Sequence, residues 1–177
     1  MSTAGPQQEQ ERENRRILDH PDVRRVIDHL AEYGARGQVV ILREPAHTAR
    51  HAAEQLGVSI AQIANSLVFR AHWLDDSTHP LLVLTSGAHR VDLVKIGDLL
   101  GLARISRADA AYVRSTSGFV IGGVAPVGHL QPMQTVVDVS LSRYEQVWAA
   151  AGHPRTVFPT NYDELLILTA GHPAEVV

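Results

Sequence analysis

From Pro21 onward, apolar residues recur at Val23, Val26, Ile27 and Leu30. This three-and-four spacing puts one buried face on a helix, opened by Asp19 or His20 and closed near Gly34. Gln38 to Leu42 reads as a short strand. Thr48 to Leu56 predicts a second helix stopped by Gly57, and Ser59-Ile-Ala-Gln62 has the capping-box spacing that opens a further helical turn. Ser66 to Ala71 and Pro80 to Ser86 are apolar runs separated by the turn-rich Asp75-Asp-Ser-Thr-His79, the pattern of two buried strands in a hairpin. Val91 to Leu100 predicts an amphipathic helix ended by Gly101, and Ser106-Arg-Ala-Asp109 repeats the capping-box spacing ahead of another short helix. Thr135 to Val139, Tyr144 to Ala151 and Arg155 to Phe158 predict three more strands, and Thr160-Asn-Tyr-Asp163 caps a terminal helix through Leu168. Several turns between strands are too short for parallel crossovers, so the expected architecture is a mixed sheet in an α+β domain spanning residues 15–177. Residues 1–14, MSTAGPQQEQEREN, are too polar to offset the entropy of ordering by burial and are expected to form a mobile arm.

Composition narrows the class. At 177 residues the chain is long enough for one continuous core without staples. No apolar run approaches the roughly 18 residues of a membrane span, so no membrane association is expected. The absence of cysteine removes disulfides, zinc ribbons and thiolate catalysis, and with no signal-like segment in the sequence a cytoplasmic location is the default expectation. A net charge of only -3 argues against a broad basic field for DNA or long RNA, so any nucleic-acid contact should be local. Arg12, Arg15, Arg16, Arg24 and Arg25 make the N-terminal region basic, either as a charged helix face or as an RNA contact.

The segment Ser117 to His129, SGFVIGGVAPVGH, holds four glycines and one proline in thirteen positions. It lacks the G-x-G-x-x-G order and the Gly-Lys-Ser/Thr ending of nucleotide loops. Two readings stay open: a backbone surface that another molecule approaches closely, or a bend at a sheet corner. His47 and His51 stand four apart on a predicted helix, a spacing that suits a metal, but no third ligand is marked, and among ten histidines such spacings arise by chance. No serine sits in a G-x-S-x-G elbow. Neither a metal nor another cofactor is expected.

The chain from about Ala46 to Leu168 resembles the YbaK-type, prolyl-tRNA-synthetase-associated editing domain family of aminoacyl-tRNA deacylases. The resemblance is carried by HTARHAAEQLGV, IAQIANSLVF, PLLVLTSGAHRVDLVKI, GGVAPVGH, VVDVSL and VFPTNYDELLIL, in that order. It implies a single domain with a mixed, strongly curved central sheet flanked by helices. It also implies an enzyme that binds the aminoacylated 3′ end of tRNA, hydrolyses the ester of a misattached amino acid, and associates transiently with an aminoacyl-tRNA synthetase.

Within that resemblance, the Gly-x-x-x-Pro element from Gly122 through Gly123 to Pro126 meets the aminoacyl ester through backbone groups. A Cβ there would take the space of the aminoacyl moiety or the ribose. Backbone donors aimed at a developing oxyanion, with a water activated partly by the substrate's own ribose hydroxyl, would need no nucleophilic side chain. The substrate-binding candidates are Thr48, which is equally an N-cap, then Ser86, Gly87 and Arg90 after the central strand, and His129 and His153 as proton-transfer candidates at the pocket mouth. Arg90 and Asp92 read either as a structural pair or as a contact to the acceptor end. Where active members of the family carry a lysine, this chain has Asn65, placed among the catalytic candidates but uncharged. Hydrolysis would then draw a cation from elsewhere, from Arg70 on the same strand or Lys95 on the following helix, or the protein binds an RNA 3′ end or aminoacyl-like ligand without hydrolysis. Arg70 lies at an odd offset from Asn65 on the same strand, which turns it to the opposite face.

Overall fold

The computed structural model describes residues 5–177, an α+β domain built on one eight-stranded sheet. Helix α1 (Pro6–Leu18) begins with proline in its first turn and buries only Ile17. Residues 1–4 of the expected arm lie outside the described residues; the remainder is the front of this helix. Gln, Glu and Arg lose little rotamer freedom in a helix, and proline near its start is pre-set for the fold. The helix meets the body through Glu13, whose carboxylate accepts from Arg155 Nη1 at 2.8 Å. Helix α2 (Pro21–Glu32) follows its predicted bounds; the His20 ring caps it by accepting from Asp22 N, and Val23, Val26 and Leu30 are buried along one face.

After β1 (Val40–Ile41), helix α3 (Ala49–Leu56) starts at Thr48, whose hydroxyl accepts from His51 N, and stops at Gly57 in the left-handed region. The capping box at Ser59 and Gln62 opens a single 3₁₀ turn. Strands β2 (Ile63–His72) and β3 (Thr78–Ser86) form the expected antiparallel hairpin with nine paired positions. Helix α4 (Leu93–Leu100) is capped by Asp92, which accepts from Val94 N and Lys95 N. The carboxylate is therefore a cap rather than a partner for Arg90.

Two elements depart from the sequence pattern. Ser106 does not cap a helix: it lies in β4 (Arg104–Arg107), its hydroxyl bonded to His72 Nε2 at 2.7 Å, and Asp109 caps α5 (Ala110–Ser117) instead. Pairing with β2 outweighs the local capping signal there. Strands β5 (Gln134–Asp138), β6 (Val147–Ala150) and β7 (Thr156–Thr160) and helix α6 (Tyr162–Thr169) match expectation within a few residues. The chain then adds β8 (His172–Ala174), too short to show periodicity, parallel to β5.

The strand order is β1-β7-β6-β2-β3-β5-β8, with β4 on β2 outside that path. The pairings β2–β6, β3–β5 and β5–β8 are parallel and the others antiparallel, so the sheet is mixed. The largest core cluster joins α2, the sheet and α6 through Val26, Leu84, Phe119, Val137, Phe158 and Leu165. A smaller one around Leu42, Ala52 and Ile63 seats α3 on the sheet. No described helix is long and apolar enough to cross a membrane.

Candidate functional site

Strand β2 changes partners along one edge. It pairs with β6 at Ile63 and Ala64 and with β4 from Phe69 to His72, so residues 65–68 have no strand beside them on that side. The Ile63 carbonyl accepts from Gly87 N, toward β3, whereas the His72 carbonyl accepts from Ala103 N, toward β4. Alternation along the strand therefore turns the N–H and C=O of Ser66 and Val68 to the open edge.

A pocket of about 330 Å³ fills this opening. Its walls come from the start of α3 (His47, Thr48), from β2 (Asn65), from the glycine-rich loop (Ile121, Gly122) and from β6 (Trp148). The remaining lining is alanine, valine and similarly uncharged residues, and His47 is the one ionisable side chain among them. Two polar atoms on lining residues, Ser66 Oγ and Trp148 Nε1, are buried without a hydrogen-bond partner. Leaving such an atom unpaired costs about 1–3 kcal/mol. Small relaxations of these walls therefore have a favourable interaction to gain.

Of the residues singled out in the sequence, the structure brings Asn65, Thr48 and Gly122 to this pocket. Thr48 also caps α3, so both of its readings hold together. Gly122 has φ +94, and a Cβ on it would lie 3.2 Å from His47 Nδ1. The nearest atom to that Cβ belongs to an imidazole of this chain.

The other candidates do not line the pocket. Gly123 lets two backbones meet: a Cβ there would lie 2.9 Å from His153 N, and its carbonyl accepts from Gly152 N. Pro126 is buried beneath the loop. His129 donates Nε2–H to the Ala125 carbonyl at 2.7 Å and sets its ring edge to face Phe119. Burial pushes its pKa down, outweighing the carbonyl contact that would raise it, so it is a neutral loop staple. His153 accepts from Arg155 N and packs edge-on to His20; burial, with His20 and Arg155 adding to it, pushes its pKa down as well.

Ser86 is also turned inward, with Oγ donating to the Ala61 carbonyl and N–H to Asp138 Oδ2. Gly87 is confined, since a Cβ would fall 2.6 Å from Ile60 O and 2.9 Å from Ala49 Cβ. It positions the start of α3 rather than touching the pocket itself. Arg90 is exposed on the following turn. Arg70 sits on the Tyr112 ring at 3.9 Å and near Asp109, as strand alternation requires, and Lys95 Nζ donates to the Val177 carbonyl at 2.6 Å. Neither supplies a cation beside Asn65.

Sequence reasoning missed the two features that most shape the site. His47 was grouped with His51 by spacing, but His51 Nε2 turns to Glu44 at 3.8 Å while His47 faces the pocket. A residue just ahead of an N-cap leaves the helix surface, and that signal was present at Thr48. The other feature is a clamp on the loop's base. Arg25 on α2 donates to the Gly118 carbonyl, to the Gly128 carbonyl and to Asp22, and Arg114 donates to Asp22 and to the same Gly118 carbonyl. Burial alone would raise the pKa of the Asp22 carboxyl, but hydrogen bonds and charge from the two arginines hold it below the usual range. No local pattern announces contacts across about a hundred residues.

The sequence model of the aminoacyl-tRNA editing domain family matches residues 43–168, a span that contains every residue lining the pocket. The uncharacterised protein YwhH of Bacillus subtilis (strain 168) is 28% identical over 140 residues, covering 79% of this chain and 86% of its own. EbsC of Enterococcus faecalis (strain ATCC 700802 / V583), named as a candidate Cys-tRNA(Pro)/Cys-tRNA(Cys) deacylase, is 24% identical over 129 residues, 73% of this chain and 76% of its own. A crystal structure described as a candidate trans-editing enzyme for prolyl-tRNA synthetase superposes with a TM-score of 0.79 at 39% identity, covering 88% of this chain and 96% of that one.

Proposed function

The chain belongs to the aminoacyl-tRNA editing domain family, and on that premise we propose that it hydrolyses the ester joining a misattached amino acid to the 3′ end of a tRNA, in trans to a synthetase with which it associates transiently. The observation that carries this reading is the pocket itself: about 330 Å³, at the small end for ligand sites, closed by Gly122 on one wall and opened along the free edge of β2 on another. Backbone N–H groups at the loop and the strand edge are donors for the oxyanion that forms when water adds to an ester carbonyl. Asn65 and Thr48 hold the aminoacyl end by neutral hydrogen bonds, and the substrate's ribose hydroxyl orients the water. Such a site works by placement, which is where a small hydrolytic pocket without a nucleophilic side chain gains most.

A second reading, binding without hydrolysis, is favoured by one observation: the two cations considered as substitutes for the family lysine are committed elsewhere, Arg70 to Tyr112 and Lys95 to the last residue of the chain. The test is deacylation of a panel of mischarged tRNAs by wild type, Asn65→Lys and Gly122→Val. Expected is clearance of at least one species well above the spontaneous rate by wild type, with Gly122→Val at least about 100-fold slower at unchanged circular dichroism. Saturable binding of the same tRNAs by an inert wild type, with activity appearing only in Asn65→Lys, would establish the second reading instead.

A further inference from the structure

The geometry points to His47 as the proton-transferring residue of this pocket, an inference that rests on the deacylase reading and adds a side-chain role to it. Three observations converge. First, His47 is the one ionisable side chain among the described residues that line the pocket, and imidazole is the side chain best suited to general acid and base work. Second, its Nδ1 stands 3.2 Å from where a Gly122 Cβ would be, so the imidazole lies against the loop glycine that walls the pocket.

Third, the other pocket-side and neighbouring imidazoles are engaged. His20 caps α2, His51 faces Glu44, His129 holds the Ala125 carbonyl, and His153 accepts from Arg155 N. His47 is exposed at the pocket mouth and has no such partner among the described residues. Its own segment carries Glu44, Arg50 and His51, and the loop between β6 and β7, joined to that segment by Ala46 N donating to the Pro154 carbonyl, carries His153 and Arg155. Arg155 is itself held by Glu13 and the Leu42 carbonyl.

In the step this implies, the oxygen of water bonds to the ester carbonyl carbon while His47 takes one of its protons. The tetrahedral adduct then collapses, the bond from carbon to the ribose oxygen breaks, and His47 returns the proton to that oxygen. The products are the free amino acid, whose carboxyl proton passes to solvent, and a tRNA with its terminal hydroxyl restored. Asn65, which lines the same pocket, has no proton to exchange at neutral pH, so it does not compete with His47 for this role.

The experiment uses the full chain and the mischarged tRNA that wild type clears fastest, with kcat and KM measured across pH for wild type, His47→Gln and His47→Ala. Expected is a fall in kcat of about 100-fold or more in both variants, KM within threefold, and loss of the limb along which wild-type activity rises with pH. A His47→Gln enzyme with kcat within fivefold of wild type overturns the inference. So does a loss confined to KM, which would make His47 a binding contact, or a variant that keeps the rising limb. A wild type that clears no species overturns the deacylase reading as well, whereas an active wild type matched by His47→Gln overturns only the role of His47.

Discussion

Two cavities of nearly equal size differ in how their polar groups are spent. The second, about 340 Å³, is lined by His89, Asp138, Ser140, Arg143 and the last three residues of the chain. It looks the richer in chemistry, with a buried carboxylate 2.7 Å from an imidazole. Yet Asp138 already accepts from Ser86 N, Ser140 N and His89 Nδ1, with Thr85 Oγ1 at 3.4 Å. It stitches the end of β3 to the end of β5. The first cavity has almost no charge but offers a strand edge without a partner and an imidazole without one. Groups satisfied within the chain hold the fold, and groups left unsatisfied at a concave surface are those available to a ligand.

The sharpest way to break this contrast is to remove the acceptor of the second cavity. Asp138→Ala orphans two buried backbone N–H groups and the His89 contact, and the expected loss of stability is about 3 kcal/mol by chemical denaturation. Burial on its own would raise the Asp138 pKa, but hydrogen bonds from Ser86, Ser140 and His89 more than offset that and hold the carboxyl below its ordinary range. With a folded pKa below the unfolded one, this contribution is complete above the unfolded carboxylate value and lost as pH falls through the folded one. Asp138→Ala should accordingly flatten the acid limb of stability. A variant as stable as wild type would mean that the dyad is not a staple and that the second cavity has chemistry still to be found.

A smaller effect is expected at the clamp under the glycine-rich loop. Arg25 bridges Gly118 O at 3.1 Å and Gly128 O at 3.0 Å, the two ends of the segment that carries Gly122, and lies 4.8 Å from the Phe119 ring centre. Arg25→Ala should cost about 2 kcal/mol and raise amide hydrogen exchange from 118 to 128 while leaving β2 and β3 protected. Arg25→Lys should recover little, because one ammonium cannot span two carbonyls with a planar fork. Exchange confined to its wild-type pattern would show that the loop is held by its own packing, with the clamp incidental to the pocket.

The sequence was most legible where structure is local. Thr48 and Asn161 as caps, Gly57 and Gly101 as stops, and the β2–β3 hairpin all follow from neighbours within a few positions. Ser106 was misread because its capping spacing is local while its actual partner, His72, lies 34 residues away. The site divides along the same line. Family-like segments placed Asn65, Thr48 and Gly122 together, but whether a conspicuous residue faces the pocket or braces it depends on packing between distant segments. Gly123 against His153, Gly87 against Ile60, and Arg25 across the loop are all of that kind. The reason for glycine at 122 was legible in part: close approach was expected, but the approaching group is a side chain from α3's entry.

The least perturbing change separates the two histidines that spacing alone had paired. His51 Nε2 is 3.8 Å from Glu44 Oε2, with both side chains well exposed, so the contact is worth at most about 1 kcal/mol and less in salt. His51→Ala should leave deacylation within twofold of wild type and the melting temperature nearly unchanged, against the large loss expected for His47→Gln. Equal losses at both positions would tie the two imidazoles to a common function. In that case a shared bound ion, detectable by metal analysis of the pure protein, would displace proton transfer by His47 alone, because a single base needs only the ring that faces Gly122.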